Sequence, residues 1–445
     1  MNRGRSTLLL LLVAVGLGAY IYFVEMKREP SDTEAPADRV FANLDAGSIS
    51  TLTLTAANGD ETTVQRDGAG WRMTAPVEAR ADAAEVSGVT SNLATLDLSR
   101  IIDEAPADLA TFGLDAPRIV VGFTNETGSE RLLVGGRTAT GGDIYAKLDS
   151  SPRVFLIPSW LETSLDRTTF QLRDKAIASF DRTRADTLSI IGAPGTIDLV
   201  KQGDQWMLRQ PVSARADAGA VDTLLTRLSS GQMQAVVADA PATLDAYGLE
   251  PPRTTVTAAA GSEVLAKVLV GSASGDTAVH MKEDGRPVVF TVDSSLAADL
   301  ERAVGDYRTK SLFTSAAADA RQVTLVRGDD TRVFAHAPAA AGADGPATPA
   351  WSDTSAEAPV APDRIAEFAS RLQTLRAESW EARAPAGAVD VATITMVSNG
   401  DATEVVRLVR AGDAVFAVRA DEPGAARLAV SSVDDLFRVL DGTDD

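Results

Sequence analysis

The chain has 445 residues, too many for one hydrophobic core, and so predicts roughly two to four domains. Its 62 acidic residues outnumber 42 basic ones, and a net charge of −20 repels phosphate backbones, which excludes nucleic acid as a partner. No cysteine is present, ruling out disulfides, thiolate metal sites and cysteine nucleophiles, and two histidines, His280 and His336, leave little material for a zinc site or a histidine base.

Residues 1–6 carry Arg3 and Arg5 ahead of an uncharged apolar run, 7–24, that would span about 27 Å as a helix. The run reads as an uncleaved single-pass anchor with a cytoplasmic N-terminus, so that the bulk of the chain is exported. A cleaved signal peptide is the alternative, although no clean A-x-A site follows. Residues 25–44 read as a polar, proline-containing stalk.

A first module is expected over 45–175. Ile49 to Thr55 alternates apolar and polar residues as a half-buried strand does, and Asn58-Gly59 turns it into a second strand. A third strand around Trp71 leads through Pro76 to Asp82, which precedes a helix whose Val86, Val89, Leu93 and Leu96 share one face. A short strand over 98–102 comes next, then a helical turn from Pro106 to Gly113. Four strands follow near 118–124, 130–134, 143–148 and 153–157, and a helix over 159–166 closes the module.

The same signals return after an offset of 135 residues. APADLATFGLDAPR at 105–118 aligns with APATLDAYGLEPPR at 240–253, Trp71 with Trp206, Pro76 with Pro211, and Asp82 with Asp217. Leu133-Val134-Gly135 aligns with Leu269-Val270-Gly271 after a one-residue slip. A second module is therefore expected over 185–313. A degenerate third, over 318–442, keeps Trp351 and a helix carrying Ile365, Phe368 and Leu372 but lacks the F/Y-G-L turn, and its alanine- and proline-rich stretch 335–362 reads as a disordered insertion. The fold class expected is α+β: tandem modules of mostly antiparallel sheet with a covering helix, after one transmembrane helix.

The run of Trp71, Pro76-Val77, Ala81-Asp82, Ala105-Pro106, Leu109, Phe112-Gly113-Leu114, Pro117 and Val134-Gly135, with its second-copy partners, resembles the bacterial family called domain of unknown function 4340, over roughly 45–315. That resemblance implies an accessory protein anchored in a bacterial inner membrane, its bulk in the periplasm, near an ABC-type export permease and ATPase. It supplies no activity and no catalytic residue.

The recurring residues Trp71, Pro76, Asp82, Phe112, Gly113 and Leu114, and Trp206, Pro211, Asp217, Tyr247, Gly248 and Leu249, are read as structural: tryptophans under a helix, capping aspartates, and helical turns stopped by a C′ glycine. The glycine-rich stretch 135–142 lacks the G-K-S/T ending of a phosphate loop and reads as a hairpin. His280 stands where the first copy has Tyr145 and has no partner at ligand spacing, and Arg327-Gly328-Asp329 reads as a turn. No catalytic, cofactor or metal site is expected. The function expected is a non-catalytic membrane-anchored scaffold whose partner is an envelope protein such as an ABC permease. The alternative is a cell-wall polymer-binding protein or a carboxylate-dependent hydrolase.

Overall fold

The computed structural model describes residues 39–193, 195–315, 319–337, 350–355 and 359–442. The chain divides after Lys175 into two compact units, the first holding one sheet and the second two.

In the first unit, alternation places Leu52 and Leu54 inward on β1 (Thr51–Thr55), and the Asn58-Gly59 turn leads to β2 (Glu61–Asp67), β3 (Gly70–Ala75) and β4 (Ala79–Arg80). Helix α1 (Ala83–Ala94) then crosses to β5 (Arg100–Asp103). The chain returns to the middle with β6 (Ile119–Asn125) and meanders outward through β7 (Gly128–Arg137), β8 (Asp143–Leu148) and β9 (Val154–Pro158). Two short helices, α2 (Leu161–Leu165) and α3 (Thr169–Leu172), close it. The sheet order is β4-β3-β2-β1-β6-β7-β8-β9-β5, antiparallel throughout.

The core lies between one sheet face and α1, where Leu52, Leu54, Val64, Met73 and Ile144 meet Val86, Val89 and Leu93. Each such side chain contributes about 1.5–3 kcal/mol on burial. A smaller cluster, Leu114, Leu133 and Val154 with Phe112 and Tyr145, forms separately.

In the second unit, the second sheet is built from β10 (Thr187–Gly192), β11 (Gly195–Gln202), β12 (Gln205–Gln210), β13 (Ala214–Arg215), α4 (Ala218–Ser230), β14 (Ala235–Ala238), β15 (Thr254–Ala260), β16 (Glu263–Ser274), β17 (Ala278–Glu283) and β18 (Val289–Asp293), then α5 (Ser294–Leu300) and α6 (Val304–Tyr307). Its order, β13-β12-β11-β10-β15-β16-β17-β18-β14, repeats the first sheet strand for strand.

The third sheet comprises β19 (Ala320–Arg327), β20 (Asp330–Ala337), β21 (Ala350–Asp353), β22 (Ser379–Glu381), β23 (Val389–Ser398), β24 (Thr403–Ala411), β25 (Ala414–Arg419) and β26 (Ala425–Leu428), with α7 (Pro362–Thr374) between β21 and β22 and α8 (Val430–Asp441) at its end. Its order, β21-β20-β19-β23-β24-β25-β26-β22, is the same without the two-residue edge strand.

Three mostly antiparallel sheets with few helices make this an α+β architecture, as the alternation predicted. Other expectations need correction. The supposed insertion 335–362 is structured at its margins: His336 pairs with Trp351 and Ala335 with Ser352, because both stretches are short alternating strands under low-complexity composition. Within 39–44, given to the stalk, Val40, Phe41 and Leu44 pack on the first core, with Val40 N–H donating to Leu96 O at 2.9 Å and Phe41 edge-on to Phe123 at 5.1 Å. The helix expected over 159–166 is shortened to α2. The expected anchor at 7–24 lies outside the described residues, and among those described no helix is long and apolar enough to cross a membrane.

Candidate functional site

The recurring residues are placed first, since duplication marks them. Trp71, Trp206 and Trp351 are all buried; Arg66 lies 4.5 Å over the Trp71 ring, and His336 stacks on Trp351 at 4.6 Å while its Nδ1 meets Ala320 O at 2.9 Å. Pro76 and Pro211 both follow cis peptide bonds. Asp82 caps α1, its Oδ1 accepting from the amides of Ala84 at 3.0 Å and Glu85 at 3.2 Å, and Asp217 caps α4 by accepting from Ala220 at 3.0 Å.

The Phe112-Gly113-Leu114 turn follows one 3-10 turn, with Gly113 left-handed at φ 65°, and Tyr247-Gly248-Leu249 repeats it with Gly248 at 64°. These turns sit on Gly135 and Gly271, where a β-carbon would overlap the carbonyl oxygens of Phe112 and Tyr247. The two most specific pieces of the repeat are thus one packing contact. His280 takes the place of Tyr145: it lies edge-on to Tyr247 at 5.4 Å, as Tyr145 does to Phe112 at 5.1 Å.

A different set of residues, invisible to the repeat, surrounds a cavity of about 510 Å³ in the first unit. On α2, Leu161 and Leu165 face the core and leave Glu162 and Asp166 on the cavity side, one turn apart. The Glu162 side chain is only 9% exposed and is held by two arginines: Arg118 Nη2 donates to Oε1 at 2.6 Å, and Arg137 Nε donates to Oε2 at 2.7 Å. Burial raises the pKa of this carboxyl, but the hydrogen bonds from Arg137 and Arg118 outweigh burial and hold it below the ordinary value. Asp166 Oδ1 accepts from the Ala57 amide at 2.9 Å, and Thr168 and Gln171 form a capping box on α3.

In the second unit, a cluster of buried charge joins the second and third sheets. Glu422, ahead of β26, accepts from Arg215 of β13 and from Arg308 at 3.3 Å, and Arg308 also lies 3.5 Å over the Trp380 ring. Glu404 of β24 accepts from the amides of Thr314 and Ser315, both at 3.0 Å, and from Arg419 at 3.1 Å, and Arg419 pairs with Asp421 at 2.7 Å. Burial raises the Glu404 pKa, yet the amide hydrogen bonds from Ser315 and Thr314 prevail and lower it. Three arginines against three carboxylates balance, so the cluster ties two sheets without presenting net charge.

Sequence reasoning passed over Glu162 and Arg137 because the second copy has alanine at both places, and Glu404 and Glu422 because they lie in the third copy, which lacks the F/Y-G-L turn. Among the described residues, no group of three or more metal-ligating side chains gathers at one place.

The model of the family described as Domain of unknown function (DUF4340) matches residues 71–214 and again 206–395. The chain belongs to the DUF4340 family. Each DUF4340 match begins at a recurring tryptophan, Trp71 or Trp206, and the second runs into β23 of the third sheet. No curated protein and no solved structure matches the chain.

Proposed function

We propose that this DUF4340 protein is a non-catalytic scaffold, tethered in the bacterial inner membrane by residues 7–24 with its sheets in the periplasm, where it contacts an envelope protein of the ABC-permease kind. One observation carries the reading: the residues that recur between copies go into packing, capping and turn closure, so duplication has multiplied a surface-bearing module rather than a reactive constellation.

The hydrolase reading gains one point from Glu162 and Asp166, two carboxylates on one cavity. It needs a carboxylic acid able to donate a proton, which calls for a raised pKa. Glu162 is displaced the other way.

The test is crosslinking in intact membranes, followed by detergent purification of the full-length chain and mass spectrometry, with a chain lacking residues 1–24 as control. Recovery of a permease and its ATPase with the full chain alone supports the scaffold. Failure to recover any stable neighbour removes it.

A further inference from the structure

The cavity beside Glu162 is lined in part by side chains that the second copy lacks. In the second, Arg137 is replaced by Ala273, Glu162 by Ala297, Thr163 by Ala298 and Thr168 by Ala303. The backbone is nevertheless equivalent: Leu161 and Leu165 correspond to Leu296 and Leu300, all buried, and Thr168 and Ala303 are both extended N-cap residues. The fold does not need the Glu162 arrangement either, because Arg253, the counterpart of Arg118, pairs with Glu301 at 2.7 Å. Four polar side chains of the first copy are therefore alanine in its twin, which keeps an acid and a base, Glu301 and Arg302, where the first has Asp166 and Arg167.

We propose that this cavity is a binding site for a neutral saccharide. Its charges cancel, Arg137 and Arg167 against Glu162 and Asp166, so it offers no net attraction to a free anion or cation. It presents guanidinium donors, carboxylate acceptors and the Thr163 and Thr168 hydroxyls together, the mixture that matches groups which both donate and accept, as sugar hydroxyls do. Arg167, one of the lining residues, is itself paired through Nε with Glu85 at 3.3 Å. The site stands on the geometry of the first copy alone and does not depend on the membrane tether.

The experiment titrates the purified full-length chain, in a detergent without a sugar headgroup, with cellotetraose, chitotetraose and maltotetraose. Inorganic phosphate is the comparator, and calorimetry is the readout. The expected result is saturable binding of at least one tetraose, about tenfold or more weaker in Arg137→Ala, since a hydrogen bond to a charged group is lost. Binding is also weaker in Thr163→Ala, which removes a lining hydroxyl and installs the residue the second copy carries there, and melting temperatures show both variants folded. Lack of saturation with all three sugars overturns the proposal. So does binding that both variants retain in full, and so does a site that phosphate saturates while the sugars do not.

Discussion

Gly135 lies directly beneath the backbone of Phe112: a β-carbon on it would overlap the Phe112 carbonyl oxygen and stand 2.9 Å from Cγ of Leu114. Gly271 repeats this against Tyr247, with Cγ of Leu249 at 3.0 Å. Both obstacles include backbone, which cannot swing away, so Gly135→Ala and Gly271→Ala each should cost about 1–3 kcal/mol, as overpacking does. Gly88, exposed inside α1 with nothing near its missing β-carbon, should respond oppositely, and Gly88→Ala should gain about 0.5–1 kcal/mol. Urea unfolding of the three variants measures this contrast.

The capping aspartates make a second prediction. Asp82→Ala and Asp217→Ala should each lose about 0.5–2 kcal/mol of stability, whereas asparagine, an equally good cap, should lose almost none. Thermal unfolding of the four variants decides the point.

The tryptophans separate by burial. Trp206→Ala, in the second core, should cost about 3–5 kcal/mol, while Trp160→Ser should leave stability within about 0.5 kcal/mol. A large loss on changing Trp160, read by the same unfolding measurement, would mean that its exposed ring supports the fold.

Acid should release the tie between the second and third sheets. The Glu404 pKa is lowered from an ordinary value of 4.5, so the folded state binds its proton less readily than the unfolded chain does. Its contribution is therefore complete above the ordinary carboxylate range and is lost as the pH falls through the lowered folded value. Asp421 has the same sign: burial raises its pKa, but the hydrogen bond from Arg419 lowers it further. Between pH 6 and pH 3 the urea midpoint of the native chain should fall more steeply than that of Glu404→Gln, which carries no charge to lose. Glu422→Gln, which leaves Arg308 and Arg215 underpaired, should itself cost about 3–5 kcal/mol.

The sequence showed the fold wherever a period or a turn was strong. Alternation revealed the central strands, and the face of Val86, Val89 and Leu93 revealed α1, because burial on one side imposes those periods directly. The third copy was harder to recognise, and Val409 explains part of the reason. Paired with Phe416, it occupies the register position of Gly135, so a copy without the F/Y-G-L turn fills that space with a side chain instead of clearing it. β21 escaped notice because four residues, Ala350 to Asp353, are too few to alternate visibly inside an alanine- and proline-rich stretch. The cavity at Glu162 left no trace in the repeat, since its distinguishing residues are those the second copy replaced. Comparing the copies for differences, rather than identities, would have found it.

The central claim is that the recurring signature builds the module and performs no chemistry. Its most direct test is the full-length chain carrying both Asp82→Asn and Asp217→Asn, measured for thermal unfolding and for crosslinked neighbours recovered from intact membranes. Unchanged unfolding together with unchanged neighbours is the predicted result, because the amides cap as the carboxylates do. Unchanged unfolding with the neighbours lost would contradict the claim and give those two carboxylates a role of their own.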